Sequence, residues 1–279
     1  MQPDRVVLIM GNTIQHGRSS NRVYLLKLGS SPDVAARSLS DIALAEGYSK
    51  VIAKVPEVML DAFKAQSFEE EVRVPNMYAH RGDGVFVAKY LMPERRDEPL
   101  GSTFESVRIL AQKKANESCK ELPAGYAITP LQKKDVPEIV DLFQQVFKKY
   151  PFPVHDAAFV EQTMNEGTHY WGARFEGQLV ALASAEVDSG VKNVEMTDFA
   201  TLPEHRSTGL ASALLAEMES AMRTMGIITA YTIARAISPG MNITFARAGY
   251  TYCGRLPNNT CIANGIESMN VWSKKLMAL

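Results

Sequence analysis

Apolar and polar positions follow two rhythms along this chain. Dense or alternating apolar runs predict strands at RVVLIM (5–10), RVYLLKLG (22–29) and KVIAKVP (50–56), the first two paired around a polar turn, GNTIQHGRSSN. Apolar residues three and four apart predict a helix over 33–47, closed by Gly47, and a short one over 57–66. Strands at 69–75 and 84–91 complete the first half.

The pattern then breaks. MPERRDEPLGS (92–102) is proline-rich and charged, and Ser102 with Glu105 predicts a capped helix running to about Cys119. The seam divides the chain into an N-terminal α/β domain (1–92), a linker with a helix (93–124) and a second domain (125–279). The second domain opens with a strand, GYAITPL, and predicted helices at 135–149 and 156–166. Strands follow at 168–177, 178–188 and 192–202, with Gly177 and Gly190 at the hairpin turns. A helix then runs to about Met225 and stops at Gly226, carrying one apolar stripe of Ala211, Leu214, Leu215, Met218, Met222 and Met225. A strand (229–235), a helix (241–248) and two strands (250–256, 267–275) finish the chain. Residues 47–72 and 226–254 share a strand, a short helix and a strand at nearly equal spacing, which a degenerate duplication or a chance similarity of two α/β stretches would explain.

Composition narrows the function classes. A net charge of −1 over 279 residues gives no basic field for nucleic acid or anionic membrane. Three cysteines, Cys119, Cys253 and Cys261, form no CxxC pair, and five scattered histidines form no metal motif, so no disulfide framework and no metal are expected. The first residues carry Asp4 and too short an apolar run for a signal or a membrane span, so the expectation is a cytoplasmic protein, with a homo-oligomer left open.

One stretch carries the chemistry: PEHRSTGLASALLAEM (203–218). An apolar strand ends at Leu202, and a helix begins inside a loop of small residues. Such a loop turns several backbone N–H groups, at the positive end of a helix dipole, toward phosphate oxygens. Gly209 and Ala211 let a ligand approach the backbone, and Arg206 adds a charge at the rim. No Walker loop and no GxGxxG is present. Arg206-x-x-Gly209-x-Ala211 resembles the Arg/Gln-x-x-Gly-x-Gly/Ala motif of the GNAT superfamily of N-acetyltransferases, and the element order over 125–279 resembles that fold. The resemblance implies an α/β (α+β) GNAT domain with a mixed, mostly antiparallel sheet flanked by helices, the N-terminal domain being a degenerate GNAT-like half that has lost its site. It also implies acetyl-CoA as cosubstrate, bound by Phe199, Ala200 and Thr201 on the strand and by Arg206, Ser207, Thr208, Gly209, Leu210 and Ala211 on the loop. NITFARAGY (242–250) resembles the second CoA-contacting segment, which brings in Asn242.

TDFATLPEHRSTGLA, ISPGMN and NNTCIANGIESMNVW (258–272) look like the β-lysine N-acetyltransferases, which make the compatible solute Nε-acetyl-β-lysine. Another small amine, a protein lysine, or a non-catalytic acetyl-CoA sensor are the alternatives. An amine near pKa ~10.4 must lose a proton before it attacks a thioester. Glu195, then Asp198, are the candidate bases; three apart, they point to opposite faces unless a bulge intervenes. Phe245 stands where the family often has a tyrosine acid, so no acid is assigned. Tyr150, Phe152, His155, Asn258, Asn259 and Glu267 are the candidates for holding the zwitterionic acceptor.

Overall fold

The computed structural model describes residues 4–115, 117, 122–263 and 265–277. Residue 119, in the predicted end of the linker helix, lies outside them. The first half forms strands β1 (Arg5–Ile9), β2 (Asn12–Gly17) and β3 (Arg22–Lys27), helix α1 (Pro32–Glu46), β4 (Lys50–Pro56), α2 (Leu60–Lys64), β5 (Glu69–Val74) and β6 (Gly84–Tyr90). Helix α3 (Gly101–Lys113) follows. The second half forms β7 (Tyr126–Leu131), α4 (Val136–Val146), α5 (Ala157–Asn165), β8 (Thr168–Phe175), β9 (Gln178–Asp188), β10 (Asn193–Thr201), α6 (Leu210–Thr224), β11 (Thr229–Arg235), α7 (Pro239–Arg247), β12 (Thr251–Ile262) and β13 (Gly265–Lys275).

Two sequence expectations fail here. The polar turn between the first two strands contains β2, which pairs with both β1 and β3. Its buried Gln15 and His16 are satisfied by partners distant in sequence: Gln15 donates to the Pro151 carbonyl and accepts from Arg22, while His16 meets Arg5 and Tyr48. A buried polar strand has no apolar alternation to announce it. The Ser102/Glu105 capping box does not form either: α3 begins at Gly101 with Leu100 as N-cap, and Glu105 pairs with Arg108 one turn on.

The thirteen strands of the described residues join one sheet, in the order β1-β2-β3-β4-β6-β5-β12-β13-β11-β10-β9-β8-β7. Its two halves repeat one topology. The parallel pair β3/β4 is linked by α1, and β4 runs through β6 to the inner strand β5; likewise β10/β11 is linked by α6, and β11 runs through β13 to β12. The halves meet where β5 and β12 run antiparallel, paired at Val72 and Gly254. A side chain at Gly254 would come within 2.9 Å of the Val72 side chain and 3.1 Å of the Glu71 carbonyl, so the junction needs glycine.

Three N-terminal cations fasten this junction to three successive carbonyls of β12. Lys50 donates to Pro257 at 2.8 Å, Arg95 to Asn258 at 2.8 Å and Arg22 to Asn259 at 2.9 Å. These carbonyls are free for them because β12 is out of register with β13 between Leu256 and Thr260.

Helix α6 buries Leu214, Leu215, Met218 and Met222 as the stripe predicts and Leu210 besides, while Ala211 is half-buried and Met225, past its end, is exposed. The segment that enters the equivalent helix of the first half is held by Asn12. The side-chain oxygen of Asn12 accepts the backbone N–H groups of Gly29 (2.9 Å) and Ser30 (3.2 Å) at the approach to α1.

Candidate active site

Strands β10 and β11 pair only over three positions, ending at Glu195 opposite Tyr231, yet β10 continues to Thr201 and β11 to Arg235. Beyond Glu195 the two splay apart. The β11-facing edge of β10 therefore lacks a strand partner from Met196 onward, and an extended amide-bearing ligand can complete its ladder. Phe199 lines the cleft so opened, Ala200 is buried at its back, and the Thr201 carbonyl accepts from Arg206 at 3.2 Å.

The splayed strand leads into the loop before α6. Gly209 is the N-cap at φ 96°, with no side-chain cap, and Ser207 also has positive φ. Thr208 donates to the His205 carbonyl at 2.7 Å, which shapes the turn. Leu210 and Ala211 open the helix. With no side chain capping it, the first turn of a fifteen-residue helix offers its N–H groups and positive dipole to an anion. Left-handed backbone on either side of Thr208 is what turns these groups outward.

At the apex of the splay a bulge changes the strand's facing. Thr197 pairs with Ser184, but the next pair is Ala200 with Leu182, so β10 carries one extra residue, and Asp198 sits at φ 54°. Glu195 and Asp198, which an unbroken strand would separate, now line one cavity of about 300 Å³. Glu186, unforeseen in the sequence, joins them from β9, directly opposite Glu195. It also lines a second cavity of about 760 Å³ that abuts the first.

Each carboxylate has a different environment. Asp198 accepts from Tyr150 and from Ser184, both at 2.6 Å, so its lone pairs are largely committed. Burial nevertheless raises its pKa against those hydrogen bonds. Glu195 is raised by burial, while Lys54 and the Tyr231 hydroxyl favour its charged form. Lys54, from the N-terminal half, donates to that hydroxyl at 2.7 Å. Glu186 is reached by solvent through the cavity mouth, yet protein walls surround it and its charged form is poorly hydrated. Burial first, then Glu195 and Asp198, push it up to about 8. Three acids facing one lysine repel one another, and a cation entering between them relieves that repulsion.

The sequence candidates divide in the structure. Tyr150, Phe152 and Asn259 line the cavity with Glu195 and Asp198. Asn242 does not reach it as a ligand group: fully buried, it donates to the Arg235 and Ser238 carbonyls and accepts from Asn270 and Trp272, which anchors α7. Asn258 is spent on the Arg95 and Asp97 carbonyls, and Glu267 on a two-pronged pair with Arg235. His155 is exposed and lines neither cavity. Phe245 packs edge-on against Phe199 and Tyr250, so the position of the usual acid is apolar core. Among Tyr231, Tyr250 and Tyr252, the nearby tyrosines of the second domain, Tyr231 stands at the carboxylates, Tyr250 is buried beside Glu219, and Tyr252 packs on Trp272.

Comparison with known proteins agrees with this geometry. Residues 136–243 match the acetyltransferase (GNAT) family. A β-lysine N6-acetyltransferase of Methanococcus maripaludis is 32% identical over 97% of this chain and 98% of its own length. One from Methanosarcina mazei is 34% identical over 65% of this chain and 68% of its own. The N-acetyltransferase YodP of Bacillus subtilis is 29% identical over 94% of this chain and 95% of its own.

Proposed function

The chain belongs to the family of the β-lysine N6-acetyltransferases, within the GNAT acetyltransferases, and from that premise we propose that it moves the acetyl group of acetyl-CoA to the terminal amine of β-lysine. The observation that carries this reading is the acidic cluster of Glu186, Glu195 and Asp198 at the apex of the β10/β11 splay. A domain that only sensed acetyl-CoA would have no use for three carboxylates packed there against their own repulsion.

The thioester arm lies along the open edge of β10, with its pyrophosphate on the uncapped start of α6. The terminal ammonium of the acceptor is drawn to the carboxylates. Glu195 takes one proton from it, because Lys54 and Tyr231 support its charged form, whereas Asp198 is occupied by two hydroxyl donors. The freed amine lone pair forms the new N–C bond at the thioester carbonyl, and the C–S bond breaks with its electron pair on sulfur. The backbone N–H of Thr201, on the open edge of β10, meets the oxygen that gains charge. The nitrogen of the adduct gives up its second proton to water, and water returns one to the thiolate. The product has lost the terminal charge and keeps one ammonium and one carboxylate, the zwitterion expected of a compatible solute.

Residues 1–92 act in this account as a half that lends Lys54 to the site. Among the described residues, no helix is long and apolar enough to cross a membrane.

Acceptor comparison tests the assignment. In α-lysine the second ammonium sits one carbon nearer the carboxylate, which leaves a buried polar partner unmet at about 1–3 kcal/mol. The expected kcat/KM for β-lysine exceeds that for α-lysine by roughly five- to 150-fold. Equal values would remove β-lysine and leave the acetyltransferase standing.

A further inference from the structure

Arg22 is unlike the other two cations at the junction. Lys50 has Glu71 at 2.9 Å, and Arg95 spends all three guanidinium nitrogens on the Asn258 carbonyl, Ser49 and the Ser20 carbonyl. Arg22 is 2% exposed and has no carboxylate within salt-bridge distance. Its terminal nitrogens donate to the Asn259 carbonyl and to Gln15, its plane lies 4.8 Å from the centre of the Tyr24 ring, and its Nε has no acceptor. It lines the wall of the 300 Å³ cavity.

Beside it on the same wall is a second orphan. The Asn259 side-chain oxygen is buried without a donor. An unmet buried donor or acceptor costs about 1–3 kcal/mol, and a donor next to an acceptor on one cavity wall is a pairing surface for a ligand bearing both functions. Tyr24 stands between this wall and the acids: Arg22 lies over its ring, and the Glu195 charge acts on its hydroxyl. The cavity thus has an acidic end for an ammonium and, past one tyrosine, a cationic end.

We propose that Arg22 and the side chain of Asn259 form the head-group subsite of the acceptor, Arg22 taking the carboxylate and Asn259 the neighbouring ammonium. This rests on the reading of the reaction as acetylation of a diamino acid. Arg22 comes from β3 and Asn259 from β12, so the subsite exists only where the two halves meet. The N-terminal half is then a recognition element, selecting acceptors that carry a carboxylate at the far end from the reacting amine. A guanidinium that stays charged and offers a planar donor edge suits that task better than a lysine.

The test uses the full chain with two acceptors, β-lysine and 1,4-diaminopentane, which is β-lysine with hydrogen in place of the carboxylate. The ratio of their kcat/KM values is measured for the wild type, Arg22→Gln and Arg22→Lys. Wild type should favour β-lysine. In Arg22→Gln the ratio should fall by at least roughly 30-fold, mostly through KM, the low end for removing one member of a buried charge pair. Arg22→Lys should recover part of it. An unchanged ratio in a variant that still binds acetyl-CoA by calorimetry would overturn the subsite. Should Arg22→Gln not fold, inhibition of the wild type decides: 3-aminohexanoate, which has the head group and no reacting amine, should compete with β-lysine, and failure to compete would overturn it equally. If the wild type instead prefers another carboxylated diamine, the β-lysine assignment falls, and the Arg22 ratio on that amine and its decarboxylated form still decides the subsite.

Discussion

Glu195→Gln should lower turnover by roughly 10²–10⁴-fold and leave acetyl-CoA affinity unchanged, the scale of losing a positioned general base. The glutamine keeps the shape of the side chain and its bond to the Tyr231 hydroxyl, so the loss reports the proton and not the fold. The pH profile gives a second signature. Burial raises the Glu195 pKa, and Glu186 across the ladder is pushed up to about 8. A base with a raised pKa is ionised in a growing fraction of molecules as pH rises, so wild-type kcat/KM should climb at pH values above the ordinary carboxylate range. The defect of Glu195→Gln should shrink at high pH, where the acceptor amine loses its proton to solvent. Steady-state kinetics across that range, with calorimetric titration of acetyl-CoA, checks both. Normal turnover in Glu195→Gln with collapse in Glu186→Gln would transfer the role to the facing strand.

Gly209→Asp should abolish measurable acetyl-CoA binding in a protein that still folds. Gly209 is the N-cap of α6 at φ 96° and itself brings no side chain to the helix start. An aspartate there can cap the helix itself, which takes the N–H groups the phosphates need and sets a negative charge beside them. Losing two charge-assisted hydrogen bonds at about 1.5–3 kcal/mol each corresponds to roughly 10²–10⁴-fold in affinity. Calorimetry should show no saturable binding, with thermal unfolding still cooperative. Unchanged affinity would remove the phosphates from the start of α6.

What the sequence disclosed was the local part of the site. The loop from Arg206 to Ala211 is legible because its chemistry depends on neighbours in the chain: a strand end, a left-handed glycine and a helix start. The helical and strand rhythms were legible wherever one face is apolar. Three things were not, each for a tertiary reason. Strand β2 hides because Gln15 and His16 are buried against partners far along the chain. The shared facing of Glu195 and Asp198 depends on a bulge, and Asp198 at positive φ gives no residue-type signal for it. Glu186 sits at the end of an apolar run in β9 and becomes conspicuous only once its register against Glu195 is known. The same holds for Lys54, which looks like an ordinary strand residue until the half that carries it is folded against Tyr231. Asn242, Asn258 and Glu267 mislead in the opposite sense, since polar residues in suggestive segments turned out to be holding the scaffold.

The central claim is chemical: one acetyl group passes from acetyl-CoA to the distal amine of β-lysine. Purified protein, acetyl-CoA and β-lysine, followed by nuclear magnetic resonance of the product, tests it most directly. The account predicts stoichiometric release of CoA and a single product acetylated at N6. Product acetylated at N3, or no transfer to β-lysine at saturating acetyl-CoA, would contradict it.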